Sequence, residues 1–132
     1  MKKILLSLFF SVVTVFTFAM KPHIENVRVD VESSIVKWVG SKVTSSHEGN
    51  INIGKGVISI DHGTLVGGQM SIDMNSISCS DIISEEKNKY FVDHLKDEDF
   101  FNTKFFPLAV INITKAVKVK GNDYNITEDL TI

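Results

Sequence analysis

From Val27 onward, apolar and polar residues alternate along most of the chain. Val27, Val29 and Val31 interleave with Asn26, Arg28 and Asp30, the period of two that a half-buried strand requires. Ser33-Ser34 predicts a turn into a second strand, Ile35 to Val43, which carries Trp38. Segments 50–53 and 57–60 read as strands interrupted by Gly54 and Gly56, the mark of a bulge or bend. Asp61-His62-Gly63 predicts a tight turn, and Thr64 to Met74 a further strand with a Gly67-Gly68 interruption. The period then changes. From Ser84 to Leu95, Glu, Lys and Asp surround Tyr90, Phe91 and Leu95, which predicts a short helix with Phe91 and Leu95 on one face. Ser84 is its expected N-cap, with Glu85 and Glu86 in the first turn. Phe106-Pro107 ends that connection. Leu108 to Lys120 and Tyr124 to Ile132 then alternate on either side of a Gly121-Asn122-Asp123 turn. Six or seven short antiparallel strands with one helical connection predict an all-β barrel or sandwich.

The first residues follow a different pattern. Lys2 and Lys3 precede an apolar run from Ile4 to Ala19, and Thr17-Phe18-Ala19 offers a small-residue cleavage site. Residues 1–19 are therefore expected to be a signal peptide, and 20–132 a single exported domain, periplasmic or secreted. The alternative is an uncleaved anchor, for which the run falls slightly short of the ~20 residues of a spanning helix. Residues 20–132 hold all 16 acidic residues and 12 of the 14 basic ones, a formal charge of −4. A mildly acidic domain without a Lys/Arg run argues against nucleic acid and anionic membranes as partners. Cys79 is the only cysteine, so no intramolecular disulfide can form, and it is expected to be a small buried filler.

Catalytic chemistry finds little support in the residues. Ser46, His47 and Glu48 are consecutive, and neighbours on a strand point to opposite faces, so they cannot relay a proton among themselves. No Gly-x-Ser-x-Gly elbow is present. His94, Asp97 and Asp99, with Asp93, could offer metal ligands, but zinc prefers closed His/Cys sets and calcium a glycine-turned loop of oxygens. A solvated helix end whose His bonds a nearby carboxylate is the simpler expectation. The glycine pairs precede no helix and so cradle no phosphate. Asn112 and Asn125 each begin a glycosylation triplet. What remains is apolar surface: stripes at Val36/Trp38, Ile51/Ile53, Met70/Ile72/Met74 and Ile111/Ile113, plus Phe91, Leu95, Phe100 and Phe101. Such stripes fit a filled core or a lumen with room for one small ligand, and on pattern alone a packed core is the expectation.

Four segments, in order, resemble the YceI-like family of exported polyisoprenoid- or lipid-binding proteins. They are Trp38-Val39-Gly40-Ser41-Lys42-Val43-Thr44 continuing to His47-Glu48-Gly49; Gly67 to Ile77 with its Ile72-Asp73-Met74-Asn75-Ser76-Ile77 run; His94 to Phe101 followed by Phe106-Pro107; and Asp129-Leu130-Thr131-Ile132. The resemblance implies an eight-stranded antiparallel, lipocalin-like barrel with a helix covering one end. It implies a non-catalytic carrier or sequestering protein without a cofactor, whose apolar lumen holds a long-chain ligand such as a polyisoprenoid, an isoprenoid quinone or a fatty amide. The expected lumen residues are Val36, Trp38, Phe91, Leu95, Phe100, Phe101, Ile111 and Ile113, with His94 or Asp73 a polar contact at the mouth. Two departures stand out. Glu128 occupies a position where the family usually has glycine, and the strands that follow Asp129–Ile132 in the family are missing. The barrel is therefore expected to be incomplete, with open edges prone to aggregation or to pairing with another chain, as in a homodimer. Two rival readings are an envelope enzyme using His94 with Asp97 or Asp99, or His47, as acid/base, and a non-functional remnant. Whether His47 and His94 line one cavity separates the enzyme from the carrier.

Overall fold

The computed structural model describes Lys21 and residues 23–132, so the expected signal peptide, residues 1–19, lies outside the described residues. Six strands and one helix follow in chain order: β1 (Ile24–Arg28), β2 (Val36–Lys42), β3 (Ser45–Asp61), β4 (Thr64–Cys79), α1 (Glu85–Lys96), β5 (Leu108–Lys120) and β6 (Asp123–Thr131). All pairings are antiparallel, in the order β1-β3-β4-β5-β6, with β2 also on β3.

β3 organises the sheet. Its first half pairs with β2 from Ser45 to Ile51, and its last five residues pair with β1. Its other flank pairs with β4. The two segments expected at 50–53 and 57–60 are thus one strand of 17 residues. The glycines between them do not end it: the register shifts between Ile53 and Lys55, placing Gly54 in a bulge, which bends a strand without breaking its ladder for long. At Gly56 a side chain would have no room, because a Cβ would lie 2.7 Å from Met70 and 2.9 Å from Val29. His62 and Gly63 close the β3–β4 hairpin with φ of 48° and 77°, the positive pair that a two-residue turn needs to match strand twist.

Register then sorts the side chains. Val36 faces Ile51, Ile53 faces Ile72, Ile72 faces Ala109, and Met70, Ile111 and Leu130 form one row across three strands. These rows share one side of the sheet, and Ile51, Ile53, Ile72, Met74, Ile77, Ala109 and Leu95 of α1 form the buried core there. Asp73, Gln69 and Lys55 sit on alternate positions, toward the other side. α1 packs against β4. Its N-terminus is held as expected, with Ser84 Oγ accepting from the Lys87 amide at 3.4 Å and Glu85 and Glu86 in the first turn. Leu95 is its buried residue, and Lys89 pairs with Asp93 on the solvent side.

The described residues form an antiparallel sheet with one helix, and among them the sheet does not close, since β6 has no partner beyond β5. No described helix is long and apolar enough to cross a membrane.

Candidate binding site

The row that faces the helix also walls a cavity of about 360 Å³, within the ~300–1,000 Å³ range of small-molecule sites. Val36 and Trp38 come from β2, Ile51 from β3, Ile72, Met74 and Ile77 from β4, Ala109 and Ile111 from β5, and Leu130 from β6. Leu95 of α1 and Phe100 and Phe101 of the following loop form the remaining wall. Val39, Gly40 and Ile132 complete the lining. Every lining residue is apolar. The one side-chain donor among them, Trp38 Nε1, is engaged by the Ser78 carbonyl at 3.0 Å, so no side chain in the wall asks for water.

The loop that carries the two phenylalanines is fixed by its own backbone. The Phe101 amide donates to Leu95 O at 3.2 Å, that of Asn102 to Asp97 O at 2.8 Å, and that of Thr103 to Lys96 O at 3.0 Å. Pro107 O accepts from the Met74 amide at 2.9 Å, which ties the far end of the loop to β4. Phe100 and Phe101 are therefore presented by the helix C-terminus rather than by a free loop.

A wider hollow of about 800 Å³ borders the end of β1 and the bends of β3 and β4. Arg28, Lys55, Gln69 and Ser71 contribute polar groups to its wall, which water serves well. The smaller, wholly apolar cavity is the better candidate for an apolar ligand, because an apolar wall gains free energy when water leaves it.

Of the residues expected to contact a ligand, the cavity brings together Val36, Trp38, Leu95, Phe100, Phe101 and Ile111. Ile113 is buried on the same side, farther along β5, and does not line it. Phe91 packs on the core and against the His47 ring, with centroids 4.7 Å apart. His94 stands at the end of α1 with Nδ1 2.8 Å from Asp97 Oδ2 and its ring edge-on to Phe100. Asp73 caps a local turn, its carboxylate accepting from the Asn75 amide and its carbonyl from Ser76 Oγ. None of the last three lines the cavity.

The two histidines of the enzyme reading occupy separate clusters, and neither lines the cavity. His47 Nδ1 lies 3.0 Å from Asp81 Oδ2. Cys79 Sγ donates to Asp81 Oδ1 at 3.0 Å. The thiol bond, with a smaller contribution from His47, holds the Asp81 carboxyl down to about 2 against the opposing effect of burial. Burial and the bond to Asp81 push the Cys79 thiol up. His94 lowers Asp97, and Ser33 lowers Asp30, in the same manner. All three aspartates titrate lower folded than in the ~3.9 range of an unfolded chain. Their contribution to stability is complete above that range and is lost as pH falls through the folded values. The urea midpoint is accordingly expected to fall from about pH 4 toward pH 2, and Asp81→Asn to flatten that fall; an unchanged slope in the variant contradicts this account.

The model of the YceI-like domain matches residues 27–132. The chain belongs to the YceI-like family. The match takes in β2 to β6, α1 and the loop after it, so the whole apolar cavity lies inside the YceI-like domain. No curated protein matches the chain. In this YceI-like domain the motif from His94 to Phe101 has a clear structural part: it ends the helix, caps it with Asp97, and delivers Phe100 and Phe101 to the cavity.

Proposed function

We propose that this protein is an exported, non-catalytic binding protein that holds the chain of a long apolar ligand, a polyisoprenoid, isoprenoid quinone or fatty amide, for transport or sequestration. One observation carries the reading: a cavity of about 360 Å³ whose lining side chains are all apolar and whose single donor is already bonded. The lipocalin-like barrel is the closed form of the sheet described above. At ~0.8 kcal/mol per buried CH₂, about ten methylenes contribute ~8 kcal/mol, enough to offset the cost of immobilising a flexible chain and leave useful affinity.

Trp38, the only tryptophan, stands in the wall and reports occupancy. Titration with farnesol is expected to shift and saturate its emission, and native mass spectrometry of protein from its own host to show a lipid-sized adduct released by organic solvent. An emission unmoved by prenyl alcohols and fatty amides alike, with bare protein in the spectrum, overturns the reading.

A further inference from the structure

The cluster of His47, Cys79 and Asp81 has no part in the apolar cavity, yet it is built from three different elements. His47 belongs to β3, Cys79 ends β4, and Asp81 follows in the segment leading to α1. Their nitrogen, sulfur and oxygen donors all lie within 4.8 Å of one another. We propose that these three side chains form a site for a borderline divalent metal ion of the zinc class, with water completing the coordination.

Three observations support this assignment. The donor set fits: zinc takes thiolate, imidazole and carboxylate together, and bonds of about 2.0–2.3 Å arranged tetrahedrally put donors about 3.3–3.7 Å apart. Here both contacts to Asp81 are 3.0 Å, so small rotations open the gap an ion needs. The donors are also oriented from outside the set. The Glu48 amide donates to Asp81 Oδ1 at 3.3 Å, Asn88 Nδ2 holds the Cys79 carbonyl at 2.9 Å, and Phe91 lies against the His47 ring. Finally, the thiol is buried while His47 and Asp81 are about one-third exposed, so an ion can enter from solvent and be covered on the sulfur side. Binding displaces the thiol proton to solvent, and affinity therefore rises with pH. A thiolate beside a carboxylate is unfavourable without a cation, which is why the same residues make a poor nucleophile and a good ligand set.

The second cluster, His94 with Asp97 and Asp99, also brings its donors within 4.8 Å. Its groups crowd one helix end, where Asp97 caps α1 and accepts from the Asp99 amide, and it serves as the internal control.

The test is titration of the purified protein with Co²⁺ as a spectroscopic stand-in for Zn²⁺. One equivalent is expected to produce a thiolate-to-cobalt charge-transfer band that Zn²⁺ abolishes, and Zn²⁺ is expected to raise the melting temperature. Cys79→Ser should remove the band, and His47→Gln and Asp81→Asn should each weaken binding at least tenfold, whereas His94→Gln should leave it unchanged. If Cys79→Ser does not fold, His47→Gln decides, since its site is partly exposed. Absence of the band, or affinity unaltered by His47→Gln, overturns the proposal. Loss of the band in His94→Gln moves the site to the helix end and overturns it as well.

Discussion

Gly49→Ala is expected to cost about 3 kcal/mol or more, the upper end for overpacking, and to broaden or abolish cooperative unfolding. Gly49 is buried where β2, β3 and β4 meet, paired with Trp38 on one side and Cys79 on the other. A Cβ there would stand 1.8 Å from the Ser78 carbonyl oxygen and 2.8 Å from the Trp38 ring. The ring could turn aside, but the carbonyl belongs to the β4 backbone and accepts the Trp38 Nε1 bond. Relief therefore requires β3 and β4 to separate at the end where they carry the His47–Cys79–Asp81 cluster. Thermal unfolding followed by circular dichroism checks this. A variant that melts within a few degrees of the native protein would show that the strands are not in this register.

Leu130→Asp should leave the fold intact and lower affinity for farnesol about a hundredfold, ~2.7 kcal/mol. Leu130 is 53% exposed and sits on β6 opposite Ile111, with its side chain on the cavity wall. In the free protein a carboxylate at that position stays hydrated, so folding is spared. Once a ligand chain fills the cavity, the same carboxylate loses water without gaining a partner, and that desolvation falls on the complex alone. Trp38 emission provides the affinity and the urea midpoint the control. Equal affinities in the two proteins would place the ligand elsewhere.

The alternation of residues was enough to locate most of the fold. β5 spans Leu108–Lys120 and α1 spans Glu85–Lys96, within a residue of where the period changes, and Ser84 caps the helix as its hydroxyl predicts. Strand length was less legible than strand position. Gly54 is the bulge that its place in the pattern predicts, but the segments on either side of it form one strand, and β4 continues beyond Met74, the end expected from the alternation, to Cys79.

The site was legible in part. The family resemblance, rather than the stripes themselves, points to Val36, Trp38, Leu95, Phe100, Phe101 and Ile111 as lumen residues, and the cavity brings these six together. Ile51, Ile72 and Met74 formed visible stripes, but which stripe faces a cavity depends on register and sheet curvature, which alternation does not encode. Asp81 left no signal at all. It reaches His47 across 34 positions, a proximity created only when β3 and β4 pair.

The two-residue His62-Gly63 turn has a kinetic consequence. It lets β3 and β4 zip together by local contacts, which form early because little chain entropy must be lost first. β1 is the opposite case, pairing Ile24 with Asp61 across 36 intervening residues, and is expected to dock late. None of the cavity lining comes from β1. A chain whose first strand is still free therefore already presents the finished cavity, and refolding monitored at Trp38 should recover ligand capture before β1 is protected from hydrogen exchange.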